Sequence, residues 1–217
     1  MPRKTTTKTT DKRHTAVPKV EKAAAKAATP QVTPQAQPQT QPATPPTTPP
    51  AERVRPAEVE AMIAQLRHDD ADISRDAATA LGALGHVEAV EPLIQVMENC
   101  DGFFHPVVRA AAAGSLGMLK DARAVNVLIT AVSDTHAEPS AEAIRALALI
   151  GDARALEPLM EVVRNANGYF LPIARRAAVL ALASFRSEQV TALLTTISKD
   201  QSQDAAIRDA AAQVLSR

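Results

Sequence analysis

From residue 56 onward the apolar residues fall at alternating intervals of three and four, the spacing that puts side chains on one face of an α-helix. One set of segments carries this pattern at Val59, Met62, Ile63 and Leu66, and it returns from Val90, Val125, Leu156 and Val190. The steps between these starting points alternate between shorter and longer. A second, Ala-rich set alternates with the first and is centred on Ala77, Ala112, Ala143, Ala178 and Ala211. Each helix of a pair has one apolar face that it cannot hide alone, so the pairs are predicted to stack into a continuous core. Alanine at the centres predicts close helix approach there, where a larger side chain would overpack the contact.

The breaks between segments fit. Gly85 and Gly151 stand where an Ala-rich helix should end in a left-handed residue, and Asp121 and Asp152 follow such ends as start signals. Pro92 and Pro158 fall near the first turn of their helices, where a missing N–H costs least.

The alternation of shorter and longer steps has an identifiable source. Extra chain separates Met97 from Leu116 when compared with Leu66 and Leu81, and the same surplus separates Val163 from Leu182. The inserted stretches read NCDGFFHPVVR from Asn99 and NANGYFLPIAR from Asn165. Asn99, Gly102, Phe104, Pro106 and Arg109 recur in register as Asn165, Gly168, Phe170, Pro172 and Arg175. The duplicated unit is therefore a pair of repeats. Phe103, Phe104, Tyr169 and Phe170, four of the five aromatic residues of the chain, lie in these insertions. They are candidate anchors for a partner protein, since aromatic side chains carry a large share of interface energy. The competing structural role is a plug that folds back between the flanking helices. A mixed arrangement would bury Phe104 and Phe170 and turn Phe103 and Tyr169 outward.

The stretches RDAATALGALGHVEAVEPLIQVM, from Arg75, and AIRALALIGDARALEPLMEVV, from Ala143, resemble the HEAT-like repeats first grouped with phycobilisome lyases. The resemblance implies an all-α fold: a short right-handed αα-solenoid of about four repeats over residues 56–217, with a half-repeat cap at 56–70 and a closing helix from about residue 204. It also implies an Asp–Arg ladder between repeats, for which Asp121, Asp152, Arg75, Arg109 and Arg175 are candidates, although His86 and Arg186 occupy two of the turn positions. Proteins with such repeats serve as scaffolds, chaperone-like lyases and a few enzymes, so the fold leaves the function open. In such repeats the second helices usually line the concave face, which would place Glu91, Glu157 and Glu161 there as a carboxylate surface for a partner.

Charge changes the picture at the N-terminus. Residues 1–55 hold ten Lys or Arg against three Asp or Glu, a net +7, and the remainder holds fourteen against twenty-one, a net −7. The first segment is basic and then rich in Pro, Thr and Gln, with almost no branched aliphatic residue, so it is expected to be a disordered tail. Its basic half could make weak contact with nucleic acid or another acidic partner; its lack of aromatics argues against base stacking. A lone Cys100 gives no disulfide framework, and no apolar run long enough for a bilayer exists, which together predict a cytoplasmic, non-membrane protein.

Chemistry is sparse. The five histidines, His14, His68, His86, His105 and His136, are never followed by Glu, unlike the iron-binding His-Glu pairs of HEAT-like hydroxylases. Cys100, Asp101 and His105 could suggest a nucleophile and base, but Ala166, Asn167 and Leu171 replace them in the duplicate. No phosphate loop and no metal-ligand spacing is present, so no cofactor, metal or catalytic residue is expected. The sequence thus reads as a non-enzymatic scaffold or adaptor, binding a protein through the concave face and the aromatic loop edge. The alternative is a chaperone-like lyase, or lyase subunit, for a bilin-type chromophore; it requires a pocket for an open-chain tetrapyrrole, and few large apolar residues are left over to line one.

Overall fold

The computed structural model describes residues 56–99 and 101–217. The expectations for the tail at residues 1–55 and for Cys100 lie outside them. Among the described residues there are ten α-helices and no strand. In order they are α1 (Ala57–Gln65), α2 (Ala71–Leu84), α3 (Val90–Glu98), α4 (Pro106–Leu119), α5 (Val125–Ala131), α6 (Ala137–Ile150), α7 (Leu156–Arg164), α8 (Pro172–Ala181), α9 (Glu188–Lys199) and α10 (Ala205–Leu215). Short 3₁₀ turns at Val87–Ala89, Ala122–Ala124 and Ala153–Ala155 lead into α3, α5 and α7.

The sequence signals at the helix ends act as expected. Gly85 and Gly151 are left-handed, at φ 72° and 71°, conformations that cost glycine nothing. Asp70, Asp121, Asp152 and Asp204 each accept a hydrogen bond from a backbone N–H two residues on, satisfying donors that the first turn leaves free. α1 covers one end by packing on α2, and α10 closes the other against α8 and α9. Between them α2 to α9 form stacked pairs around one core, in which Leu81, Leu116, Leu147 and Leu182 from the Ala-rich helices and Leu93, Leu128, Leu159 and Leu194 from the others are buried. Each such leucine contributes about 1.5–3 kcal/mol by leaving water. The architecture is the α-solenoid that the periodicity predicts.

The two rows of helices are not equally spaced. A Cβ added to Gly82 would come within 2.5 Å of Ser115 Oγ, and one added to Gly117 within 2.8 Å of Ala146 Cα, so α2, α4 and α6 approach almost backbone to backbone. The row of α3, α5 and α7 packs much more loosely within itself. Glu91 on α3 and Glu157 and Glu161 on α7 lie on the more loosely packed row. The residue sizes held the signal: Ala and Gly set the narrow row.

The expected ladder is also different. Arg75 pairs locally with Asp72 and Asp76, which raise its pKa through the Asp76 hydrogen bond and the two charges, and the residue of α2 equivalent to Arg109 is Ser74. Ser74 and Ser140 cap the preceding turn through His68 O and Val132 O, while Arg109 and Arg175 begin the helices that follow the insertions. Asp121 and Asp152 bind Arg123 and Arg154 of their own turns. Those turn arginines also link successive repeats: Arg154 Nη2 donates to Ala122 O at 2.9 Å and Arg123 Nη2 to Val87 O at 3.4 Å.

Candidate functional site

Each insertion is a compact loop, 99–105 between α3 and α4 and 165–171 between α7 and α8. Asn99 and Asn165 end their helices at φ 44°, a left-handed conformation that asparagine tolerates better than most residues. In each loop the asparagine Oδ1 accepts the N–H of the second aromatic residue, Phe104 or Phe170, at 2.8 Å. Asn165 Nδ2 also donates to Phe170 O at 3.2 Å. Gly102 and Gly168, at φ 69° and 66°, complete the tight turns by donating to the asparagine carbonyls at 2.9 Å. The side-chain bridge thus closes a loop that could not bond to itself as a helix does.

This geometry turns one aromatic inward and one outward. Phe104 is 5% exposed and Phe170 is half-buried against the core, whereas Phe103 is 41% and Tyr169 59% exposed. The rings of each pair meet edge to face, at centroid separations of 5.2 and 5.1 Å. The mixed arrangement is the one found: the inner rings plug the stack, and the outer rings stand on them.

The outer rings have different surroundings. Arg67, in the connection after α1, lies over Phe103 at 4.7 Å and binds Asp101 of the same loop at 2.6 Å. The Arg67 hydrogen bond, aided by the Phe103 N–H, holds the Asp101 carboxyl below its ordinary pKa. Among the described residues no cation lies over Tyr169; its hydroxyl donates to Ser133 O at 3.0 Å. Sequence reasoning missed Arg67 because its partner lies far along the chain, across a repeat boundary.

Three grooves adjoin these features. One of about 450 Å³ runs beside Tyr169 and Phe170 and includes Glu161, Arg164 and Asn167. A second, of about 260 Å³, lies on the other side of Tyr169 against Thr135, Ala137 and Leu171. The third, about 700 Å³, is bounded by His105, Val107, His136 and Glu138, and shares Thr135 and Ala137 with the second. The last two cross the N-terminal ends of α4, α6 and α8. Glu91 and Glu157 belong to none of the three; Glu157 is paired with Arg164 at 2.6 Å. Among the described residues no group of three His, Cys, Asp or Glu is arranged to hold a metal ion, and no helix is long and apolar enough to cross a membrane.

The helix rows and turns define the class: the described residues form an α-solenoid of stacked helix pairs. Family models agree, with residues 75–99 matching the PBS lyase HEAT-like repeat and residues 102–171 matching HEAT repeats. Among curated proteins it is similar to the phycocyanobilin lyase subunit alpha of Picosynechococcus sp. (strain ATCC 27264 / PCC 7002 / PR-6), with 35% identity over 126 residues, 48% of this chain and 45% of that one. The phycocyanobilin lyase subunit alpha of Nostoc sp. (strain PCC 7120 / SAG 25.82 / UTEX 2576) is 48% identical over 73 residues, 30% of this chain and 25% of that one. The chain thus matches less than half the length of either relative. A solved structure of the complex of CpcE and CpcF of phycocyanin lyase from Nostoc sp. PCC7120 superposes with a TM-score of 0.60 at 23% identity, over 76% of this chain and 66% of that one, and shares the fold.

These relatives overturn the expectation of a non-enzymatic scaffold. Both curated relatives are named as lyase subunits, which favours the lyase alternative over that expectation. Two large side chains that stay about half exposed, Tyr169 and Leu171, do line a groove.

Proposed function

We propose that this chain is a lyase-type protein, or a subunit of one, that handles an open-chain tetrapyrrole together with a protein partner. The 35% identity to a phycocyanobilin lyase subunit alpha carries the reading. The grooves across α4, α6 and α8 support it physically. Their combined wall of Val107, Tyr169 and Leu171 offers apolar contact to a flat conjugated molecule, and His105 and His136 stand at the edge within reach of its carboxylates. Helix N-termini favour the same negative charge.

The test is optical. Phycocyanobilin mixed with the full chain, alone or with a second lyase subunit, should show a shifted and sharpened visible band, and Leu171→Glu should weaken it. Loading of an apo-phycocyanin acceptor should rise in the same mixture. A bilin spectrum unchanged in both mixtures, with acceptor loading no faster than without the chain, rejects the reading.

A further inference from the structure

The two duplicated loops give a comparison within one molecule. The register that carries Asn99 onto Asn165 also carries Phe103 onto Tyr169, Phe104 onto Phe170 and Asp101 onto Asn167. In the same register Arg67, whose guanidinium lies over Phe103 and 5.3 Å from the Phe104 ring centre, corresponds to Ser133. Both members of the Arg67–Asp101 pair are therefore absent from the second loop, while the aromatic platform beneath them is retained. The rings keep the same edge-to-face geometry, and the asparagine bridge that holds them is the same.

Where the pair stands on the first loop, the second has the Tyr169 hydroxyl donating to Ser133 O, with open space beside the rings. The groove of about 450 Å³ lies against Tyr169, Phe170 and Asn167. Its wall also carries Glu161, whose carboxylate has no hydrogen bond or ion pair among the described residues. The neighbouring Arg164 is already neutralised by Glu157. An aromatic face beside a free carboxylate is the surrounding that a guanidinium prefers, since the ring attracts the cation and the carboxylate accepts its planar pair of N–H donors.

We propose that the Tyr169–Phe170 platform, with Glu161 and Asn167, receives an arginine side chain presented by a protein partner, in the place that Arg67 fills on the first loop. The occupant is argued from the molecule itself: Arg67 shows which group this platform seats. Arginine fits better than lysine, because a planar guanidinium can lie on the ring and still reach the carboxylate. The inference goes beyond the chromophore reading and does not depend on it.

Tyr169 is the only tyrosine and the chain has no tryptophan, so tyrosine emission reports on this site alone. The full chain is titrated with a short peptide carrying one arginine, and separately with the same peptide carrying lysine. A saturable change in emission with the arginine peptide, about fivefold weaker with lysine or in E161Q, is the expected result. Ser133→Arg combined with Asn167→Asp rebuilds the internal pair on exposed positions and should abolish the response, with an unchanged melting transition showing that the variant is folded. Equal response to both peptides, no response to either, or a full response in the rebuilt variant overturns the proposal. None of these readouts involves a bilin, so its failure is separate from failure of the lyase reading.

Discussion

Arg109 and Asp134 form a two-pronged ion pair across a repeat boundary: Arg109 Nε donates to Asp134 Oδ2 and Nη2 to Oδ1, both at 2.9 Å. The side chains are only 10% and 12% exposed. Arg109 Nη1 also donates to Phe104 O at 2.8 Å, so one side chain ties the first aromatic loop to the turn before α6. In the second half Arg175 meets a neutral partner, Gln203, at 2.7 Å; its Nε has no partner, and burial pushes its guanidinium below the usual range.

Removing one member of the first pair leaves the other buried and uncompensated. Arg109→Ala is expected to destabilise the fold by about 3 kcal/mol, and Arg175→Ala by less, about 1–2 kcal/mol. Urea unfolding of the two variants side by side checks the order; equal losses would show that the ion pair adds nothing to the neutral contact.

Two glycines of α4 should respond in opposite ways. A methyl group at Gly117 meets Ala146 Cα at 2.8 Å, and Gly117→Ala should cost about 1–3 kcal/mol by overpacking. At Gly114 the nearest atom is Glu142 Oε2 at 3.8 Å, so Gly114→Ala should be neutral or gain about 0.4–1 kcal/mol from reduced chain entropy. Melting temperatures of the two single variants provide the comparison.

The adjacent aromatics of the first loop divide structure from surface. Phe104→Ala empties a core position and should cost about 3 kcal/mol, while Phe103→Ala, which removes an exposed ring, should cost under about 1 kcal/mol. Chemical denaturation of both decides this; similar losses would mean that the Arg67 stack contributes to the fold as strongly as the core does.

Acid acts on the turns. Hydrogen bonds from the Arg154 side chain and then from the Arg154 N–H lower the pKa of Asp152 from 3.8 to about 2. A carboxyl depressed in the folded state contributes stability that is present above its unfolded pKa. That contribution is lost as the pH falls from about 4 towards 2. Carboxyl carbon shifts of Asp152 should therefore titrate near 2, and Arg154→Ala should return the midpoint towards the unperturbed value. A midpoint unmoved by that substitution would remove Arg154 as the cause.

Much of this molecule was legible before any coordinates. The three-and-four spacing of Val90, Leu93, Ile94 and Met97 and its recurrences determined the stacked helices, because a helix with one apolar face can hide it only against another. The in-register return of Asn99, Gly102, Phe104 and Pro106 as Asn165, Gly168, Phe170 and Pro172 revealed the duplicated loops. Gly85, Gly151 and the aspartates marked the turns, since these are local demands of backbone geometry. Only the tertiary structure decided how unequally the two rows pack and which charges meet. Arg109 with Asp134 and Arg67 with Phe103 are contacts between repeats, set by how neighbouring turns are brought together in space. A periodic sequence determines what each repeat buries, but it does not state which long, charged side chain reaches across to the next.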